Sequence, residues 1–413
     1  MTKRVVITGT GIIGPVGNTS AESWQNALSG ISGVRRMSLV DPDLFTSQIA
    51  GEVKDFDPLD HFDRKLVKRI DRYTQFAMVA AREAFEGSDI RDGIRPERLG
   101  VVIGSGIGGI ATMEQEHKVA LERGVHRINP FFCPMMIGNI AAGRVGIDLC
   151  AKGPNLATVT ACATSGHAIA VAADMIALGR ADAILAGGSE APITLTGVGG
   201  FCQLKALSTR NDDPQTASRP FDRDRDGFVI AEGGAVLVLE DLEHARARGA
   251  DIIAEVVGAG MTCDAYHITA PAEGGEGSAR AMSLAIEEAG IRPEQVDYIN
   301  AHGTSTQLND INETMAIKTA LGTENAMSTP VSSTKSVTGH MLGAAGAVEA
   351  IFTSFALREG IIPPTATLFN KDEGCDLDYV PGTARKAELT YALSNSLGFG
   401  GHNVTIALKK YSG

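Results

Sequence analysis

One cysteine and two histidines stand in settings suited to chemistry. Cys162 lies in Thr160-Ala161-Cys162-Ala163-Thr164-Ser165-Gly166, between a strand ending near Thr160 and an apolar helix opening around Ser165. A thiol at the mouth of a buried helix meets the positive end of the dipole, which favours thiolate and lowers its pKa. Backbone N–H groups of the same turn can hold a developing oxyanion. His302 lies in Asn300-Ala301-His302-Gly303-Thr304-Ser305-Thr306, at the carboxyl end of strand Tyr298–Asn300, where α/β proteins put their chemistry. His340 closes Ser332-Ser333-Thr334-Lys335-Ser336-Val337-Thr338-Gly339-His340 and leads into a run of small residues. Taken singly, each could be an inert core thiol or a hydrogen-bonded core histidine. Their shared position at strand–turn–helix corners points to covalent catalysis on sulfur.

The elements that must hold these corners repeat. In the first half Arg4–Thr8, Leu99–Ile103, Ala183–Ala186 and Ala235–Leu239 read as buried strands, being short Val/Ile-rich runs bounded by Gly or polar residues. Helices are expected after a capping box at Thr19–Glu22, over Asp71–Ala84, and over Ser165–Leu178. The second half follows the same plan. It has strand Ile252–Val257, helix Gly277–Glu288, strand Tyr298–Asn300, helix Met341–Leu357, and a closing pair at Tyr391–Ser394 and Asn403–Leu408. The segment Leu242–Gly249 would join two α/β halves, 1–250 and 251–413, in one compact body.

Two glycine-rich motifs invite a nucleotide reading and are rejected. Gly9–Gly14 matches G-x-G-x-x-G, but Gly14, Pro15 and Gly17 form a turn where the helix should already run. Gly104–Gly109 matches as well, and lone matches are expected in a chain with 48 glycines. Asp222, Asp224, Asp226 and Gly227 imitate a calcium loop. The twelfth position is Gly233 instead of a carboxylate, so a charged turn held by its own Asp–Arg pairs is expected.

The 413 residues carry 37 Lys+Arg against 49 Asp+Glu, a net charge of −12. That balance excludes nucleic acid or an anionic membrane as a partner held by bulk charge. The longest charge-free run, 153–173, contains Pro154, Asn155 and His167 and does not read as a membrane span. The start MTKRVVITGTG has no signal-peptide pattern, and six scattered cysteines without metal-ligand spacing suit free thiols in a cytoplasmic protein. Cys133, Cys150, Cys202, Cys263 and Cys375 read as inert.

TACATSG, NAHGTST, SSTKSVTGHMLGAAGAVEA and SNSLGFGGHN together resemble the signature segments of the β-ketoacyl-acyl-carrier-protein synthases, most closely the bacterial synthase II type. The resemblance runs from VVITGTG to the C-terminus. It implies the thiolase fold, a duplicated five-layered α/β/α/β/α architecture, and a homodimer. The implied reaction is decarboxylative Claisen condensation of acyl carrier protein thioesters with malonyl carrier protein, giving 3-oxoacyl carrier protein and CO2. By this resemblance Cys162 is the acylated nucleophile, His302 and His340 serve the enolate, Lys335 accompanies them, and Phe399 gates the cysteine. The backbone N–H groups of Cys162 and Phe399 would hold the thioester oxyanion. Lys335 would pair with a buried carboxylate, for which Glu349 is the candidate.

The pair of histidines separates this sequence from synthase III, which uses His and Asn, and from thiolases, which use a second Cys. The rival readings are a polyketide-type ketosynthase and a non-catalytic chain-length partner, the latter disfavoured by Cys162. His402 stands where many relatives have Thr and others have His. Thr304, Thr306 and Thr269 would contact the substrate arm, and Ile107, Phe132 and Phe399 the acyl chain. Arg64, Lys65, Lys68 and Arg69, as two i,i+4 pairs on one helical side, would dock the acidic carrier, with Lys205 added and Arg127 and Arg210 weaker. No cofactor is required for the chemistry. A structural Na+ or K+ is implied near Asn300, Ala301, Glu349, Ser394 and Asn395.

Overall fold

The computed structural model describes residues 3–413. Ten strands form the frame: β1 (Val5–Ile13), β2 (Leu99–Gly104), β3 (Asn155–Leu156), β4 (Ala183–Glu190) and β5 (Gly233–Asp241), then β6 (Ala254–Cys263), β7 (Tyr298–Asn300), β8 (Val331–Ser332), β9 (Tyr391–Gly398) and β10 (His402–Lys410). The first five lie in the order β3-β2-β4-β5-β1 and the second five in the order β8-β7-β9-β10-β6. Each set is parallel across its first three strands and antiparallel across its last three. The chain therefore repeats one topology. The sets join where Val5–Ile7 of β1 pairs antiparallel with Ala254–Val256 of β6.

Helices make the remaining layers. Helices α1 (Arg72–Gly87) and α2 (Ile140–Asp148) cover the outer face of the first sheet, packing Phe76, Ala80 and Val145 against Val101, Leu185 and Val236. Helices α3 (Thr164–Ala177) and α6 (Ala345–Glu359) lie between the sheets. Helices α4 (Glu276–Glu288) and α5 (Gln307–Leu321) cover the second sheet from outside. The result is the five-layered thiolase arrangement.

The two middle helices can sit together because their contact residues are small. A Cβ on Gly346 would lie 2.9 Å from the Gly166 nitrogen, too close for any real side chain. Ser165 Oγ accepts a 2.9 Å hydrogen bond from the Ala347 N–H, beside that contact. Every α6 residue from Ala345 to Leu357 is buried. Both helix N-termini, each just after a candidate catalytic residue, are thus fixed against one another.

Several local expectations change. Strand β1 runs past the expected Thr8 to Ile13, so the first glycine motif lies mostly in the strand and, as expected, forms no phosphate turn. Its glycines allow α1 to approach: a Cβ on Gly9 would lie 2.1 Å from the Ala84 carbonyl oxygen, and one on Gly11 2.0 Å from that of Ala80. In the second motif the N–H groups of Gly106 and Ile107 already serve an anion, the Glu190 carboxylate, at 2.8 and 3.0 Å. The helix expected from Met341 begins at Ala345, after a 3-10 turn over Leu342–Ala344. The carboxylates of the calcium-like loop do not converge. Asp222 accepts from the Phe369 and Asn370 amides, and Asp226 from the Thr209 amide. Arg223 pairs with Asp224 as expected, but Arg225 is buried and turns to Asp310 and Asp372.

Candidate active site

Cys162 sits in the one-turn 3-10 helix Ala161–Ala163 that opens α3. Ala161 has φ +50°, a left-handed conformation unfavourable for alanine, and strain of this kind collects at functional sites. Strand β9 comes up beneath the turn at Gly398, where a Cβ would lie 3.2 Å from the Cys162 nitrogen. The next residue, Phe399, faces Phe201 at 6.5 Å between ring centroids. The backbone N–H groups of Phe399 and Cys162 both favour the Cys162 thiolate.

The thiol differs from the sequence expectation. Burial pushes it up to about 12, and the nearby Glu190 carboxylate adds to the rise. The Lys335 ammonium and the two N–H groups pull the other way without prevailing. At rest the sulfur is protonated, because desolvation outweighs the helix end.

His302 follows β7 and is held from both sides. Its N–H and that of Gly303 each donate at 2.7 Å to Glu313, a buried carboxylate on α5. Lys335 Nζ donates to the His302 carbonyl at 2.6 Å, pairs with Glu349, and lies 3.4 Å from Nδ1. An ammonium has only donors to offer, so Nδ1 presents its lone pair and the ring proton sits on Nε2. Lys335 and Glu349 are 1% and 2% exposed, which makes this a fully buried ion pair.

His340 is fixed through its backbone: its N–H donates to Val229 (2.7 Å) and its carbonyl accepts from Ala231 (2.9 Å). Its ring meets His302 edge to face at 5.3 Å and Phe228 at 5.3 Å. Burial, then the Lys335 charge, holds both imidazoles well below their ordinary pKa; for His302 the second ring adds a smaller push. Both are therefore neutral at pH 7. His340 Nδ1 is buried and has no partner.

Cys162, His302, His340 and Phe399 line one cavity of about 360 Å³, together with Thr269, Thr304, Thr306 and, toward solvent, Lys205. The Thr304 and Thr306 hydroxyls are 2.9 Å apart. Lys335 stands behind His302 instead of in the cavity wall. Ile107 and Phe132 do not line this cavity. Ile107 is 40% exposed, and the short helix Phe132–Met136 packs against the loop that carries it.

The basic cluster also differs from expectation. Its helix, Arg64–Val67, is a single turn capped by Asp63, so no i,i+4 ladder forms. Arg64, Lys65 and Lys68 are exposed, whereas Arg69 lies over the Phe131 ring at 4.4 Å.

At the implied cation positions, Asn300 Oδ1 and Glu349 Oε2 are buried without partners, while Asn300 Nδ2 reaches the Glu349 carbonyl at 3.4 Å. Unpartnered oxygens beside a carboxyl pushed up to about 7 by burial fit a hard monovalent cation. Sequence reasoning missed Glu313, Glu190 and Phe228. The only signal for Glu313 was a pair of carboxylates, Asp310 and Glu313, three apart on the helix after the NAHGTST turn.

A cysteine at a helix mouth, two neutral imidazoles and paired N–H donors, in a duplicated five-layered fold, define a condensing enzyme of the thiolase type. Residues 2–245 match the beta-ketoacyl synthase N-terminal domain and residues 253–369 its C-terminal domain. The chain belongs to the beta-ketoacyl synthase family. It is 52% identical to 3-oxoacyl-[acyl-carrier-protein] synthase 2 of Staphylococcus aureus over 411 residues, 99% of either chain. It is 51% identical to the Synechocystis protein of the same name over 410 residues, 99% of this chain and 98% of that one. Among solved structures it is similar to a beta-ketoacyl synthase from Burkholderia phymatum (TM-score 0.90, 36% identity, 99% of this chain and 100% of that one). It is also similar to a type II PKS ketosynthase solved with its acyl-carrier protein and a bound hexaketide (TM-score 0.92, 36% identity, 100% of both chains).

Proposed function

We propose that this protein is a 3-oxoacyl-[acyl-carrier-protein] synthase of type II, an acyltransferase that lengthens fatty acyl chains. The observation that carries this reading is the convergence of Cys162, His302 and His340 on one cavity, with a tautomer-fixed imidazole among them. Identity of 52% to a 3-oxoacyl-[acyl-carrier-protein] synthase 2, against 36% to the polyketide ketosynthase, favours the fatty-acid assignment.

In the first half-reaction Cys162 Sγ attacks the acyl thioester, whose oxygen is held by the N–H groups of Cys162 and Phe399. Its proton ends on the departing pantetheine sulfur, so the exchange is proton-neutral. That suits a thiol without a strong base beside it. In the second, malonyl carrier protein loses CO2, and the Nε2–H groups of the two imidazoles stabilise the enolate oxygen. The enolate carbon attacks acyl-Cys162, the C–S bond breaks, 3-oxoacyl carrier protein leaves, and the released Cys162 thiolate takes up one proton from solvent to return to the resting thiol. Neutral rings suit this role: each offers a fixed dipole and keeps its own proton.

The acidic carrier docks on Arg64, Lys65 and Lys68, with Lys205 at the cavity mouth. Ile107 and Phe132 would reach the acyl chain across a homodimer interface, since β3 is a sheet edge with exposed Val159 beyond it. Asn300, Ala301, Glu349, Ser394 and Asn395 hold a structural monovalent cation; when bound it neutralises the stranded oxygens and takes no part in the chemistry. Among the described residues no helix is long and apolar enough to cross a membrane. Six free cysteines without metal-ligand spacing suit a reducing compartment, which supports the cytoplasm as the location. The test is Cys162→Ala with acyl carrier protein: acyl transfer and condensation should both vanish. Retained condensation would rule out this nucleophile.

A further inference from the structure

The calcium-like segment binds no cation by its geometry, yet it wraps the turn that carries Thr304 and Thr306. The Gly227 N–H donates to the Ser305 carbonyl at 3.1 Å, and the Arg219 N–H to Ser305 Oγ at 3.0 Å. At the centre lies the buried guanidinium of Arg225. Its Nε donates to the Thr306 carbonyl and its Nη2 to that of Gln307, each at 3.1 Å. Its Nη1 donates to the Asp222 carbonyl at 2.7 Å and pairs with Asp372. Gln307 Nε2 returns a 2.6 Å bond to the Arg225 carbonyl. Asp310, 3.6 Å from Arg225 Nε, accepts the Thr304 N–H at 3.0 Å and the Phe221 N–H at 2.8 Å.

Both ends of the threonine turn are thus tied to one buried ion pair. Ser305 between them has φ +69°, a conformation a serine keeps only where its surroundings over-determine it. A planar guanidinium can reach two successive carbonyls and a carboxylate at once. A lysine ammonium would match the charge without the fork.

We propose that Arg225 is a positioning residue for the substrate arm: it clamps the Thr306 and Gln307 carbonyls and so holds the Thr304–Thr306 hydroxyl pair toward the cavity. This rests on the reading that a pantetheine-borne thioester passes those threonines on its way to Cys162. One hydroxyl of the pair donates to the other, which leaves one O–H for an acceptor on the arm. A slack turn would part the hydroxyls and lose that arrangement.

The experiment compares full-length wild type with Arg225→Lys. The KM for acyl carrier protein and for acyl-pantetheine should rise at least tenfold while kcat falls less than threefold. Alkylation of Cys162 by iodoacetamide, which needs no contact with the arm, should stay within twofold of wild type. An unchanged KM overturns the proposal, as does an equal loss in alkylation and kcat, which would mark a general scaffold role. If Arg225→Lys does not fold, Asp372→Asn loosens the guanidinium from its outer side. It should raise KM about threefold with alkylation unchanged, and no rise in KM again overturns the proposal. A wild-type protein that accepts no acyl group from either substrate would instead sink the functional reading.

Discussion

Replacing Lys335 by methionine strands the Glu349 carboxylate in the core and removes the donor to His302 Nδ1. Removing one partner of a buried ion pair destabilises by about 3–5 kcal/mol. Unfolding entropy of about 2.1 cal/mol/K per residue gives roughly 0.9 kcal/mol/K for a chain of this length. The melting temperature should therefore fall by about 3–6 °C. Glu349, already pushed up to about 7 with its partner present, should rise further without it. A carboxyl whose folded pKa exceeds its unfolded value loses stability as pH rises through that window, so the deficit should be larger at pH 9 than at pH 6. Adding Glu349→Met removes the stranded group and should restore roughly 2 kcal/mol or more. Decarboxylation of malonyl carrier protein should stay low in both variants, because the His302 tautomer is no longer fixed. Thermal melts at the two pH values, with decarboxylation assayed alongside, check all of this. A Lys335→Met protein melting within 1 °C of wild type, or a double variant no better than the single one, would refute the reasoning.

Reversing Lys65 and Lys68 to Glu should raise KM for carrier-borne substrates at least tenfold at low salt, less at high salt, and leave kcat nearly unchanged; an unaltered KM would place docking elsewhere. With its thiol pushed up to about 12, Cys162 should be alkylated tenfold faster for each pH unit from 7 to about 11. A plateau by pH 9 in that profile would mean the helix end dominates after all. Gly346→Val puts a branched side chain where Gly166 N already lies 2.9 Å from a single Cβ, and should destabilise by several kcal/mol or prevent folding. Normal melting of that variant would contradict the close approach of the two middle helices.

The frame was legible because buried strands and helices leave strong patterns. The apolar runs marked eight of the ten strands, most plainly where burial is two-sided, as at Leu99–Ile103 and Ala183–Ala186. The two-residue β3 and β8 are too short to leave a period. Cys162, His302 and His340 were legible by type and by their glycine- and hydroxyl-rich surroundings. Their protonation states were not, since desolvation depends on neighbours distant in sequence: Glu190 and Lys335 act on Cys162 from 28 and 173 positions away. The first glycine motif was rejected as a phosphate site, but its packing role was not legible, because only the approach of Ala80 and Ala84 reveals it. Arg225 read as paired within its own Asp–Arg turn because its true partners Asp310 and Asp372 lie far along the chain.

The division of labour between sulfur and imidazoles is the central claim, and stepwise mass spectrometry of the intact protein tests it most directly. His302→Ala and His340→Ala should each gain the acyl mass on Cys162 when given acyl carrier protein, and should keep it when malonyl carrier protein follows. Wild type should lose that mass and release 3-oxoacyl carrier protein. If either variant clears its acyl group at the wild-type rate, the imidazole it lacks does not hold the enolate and the account fails.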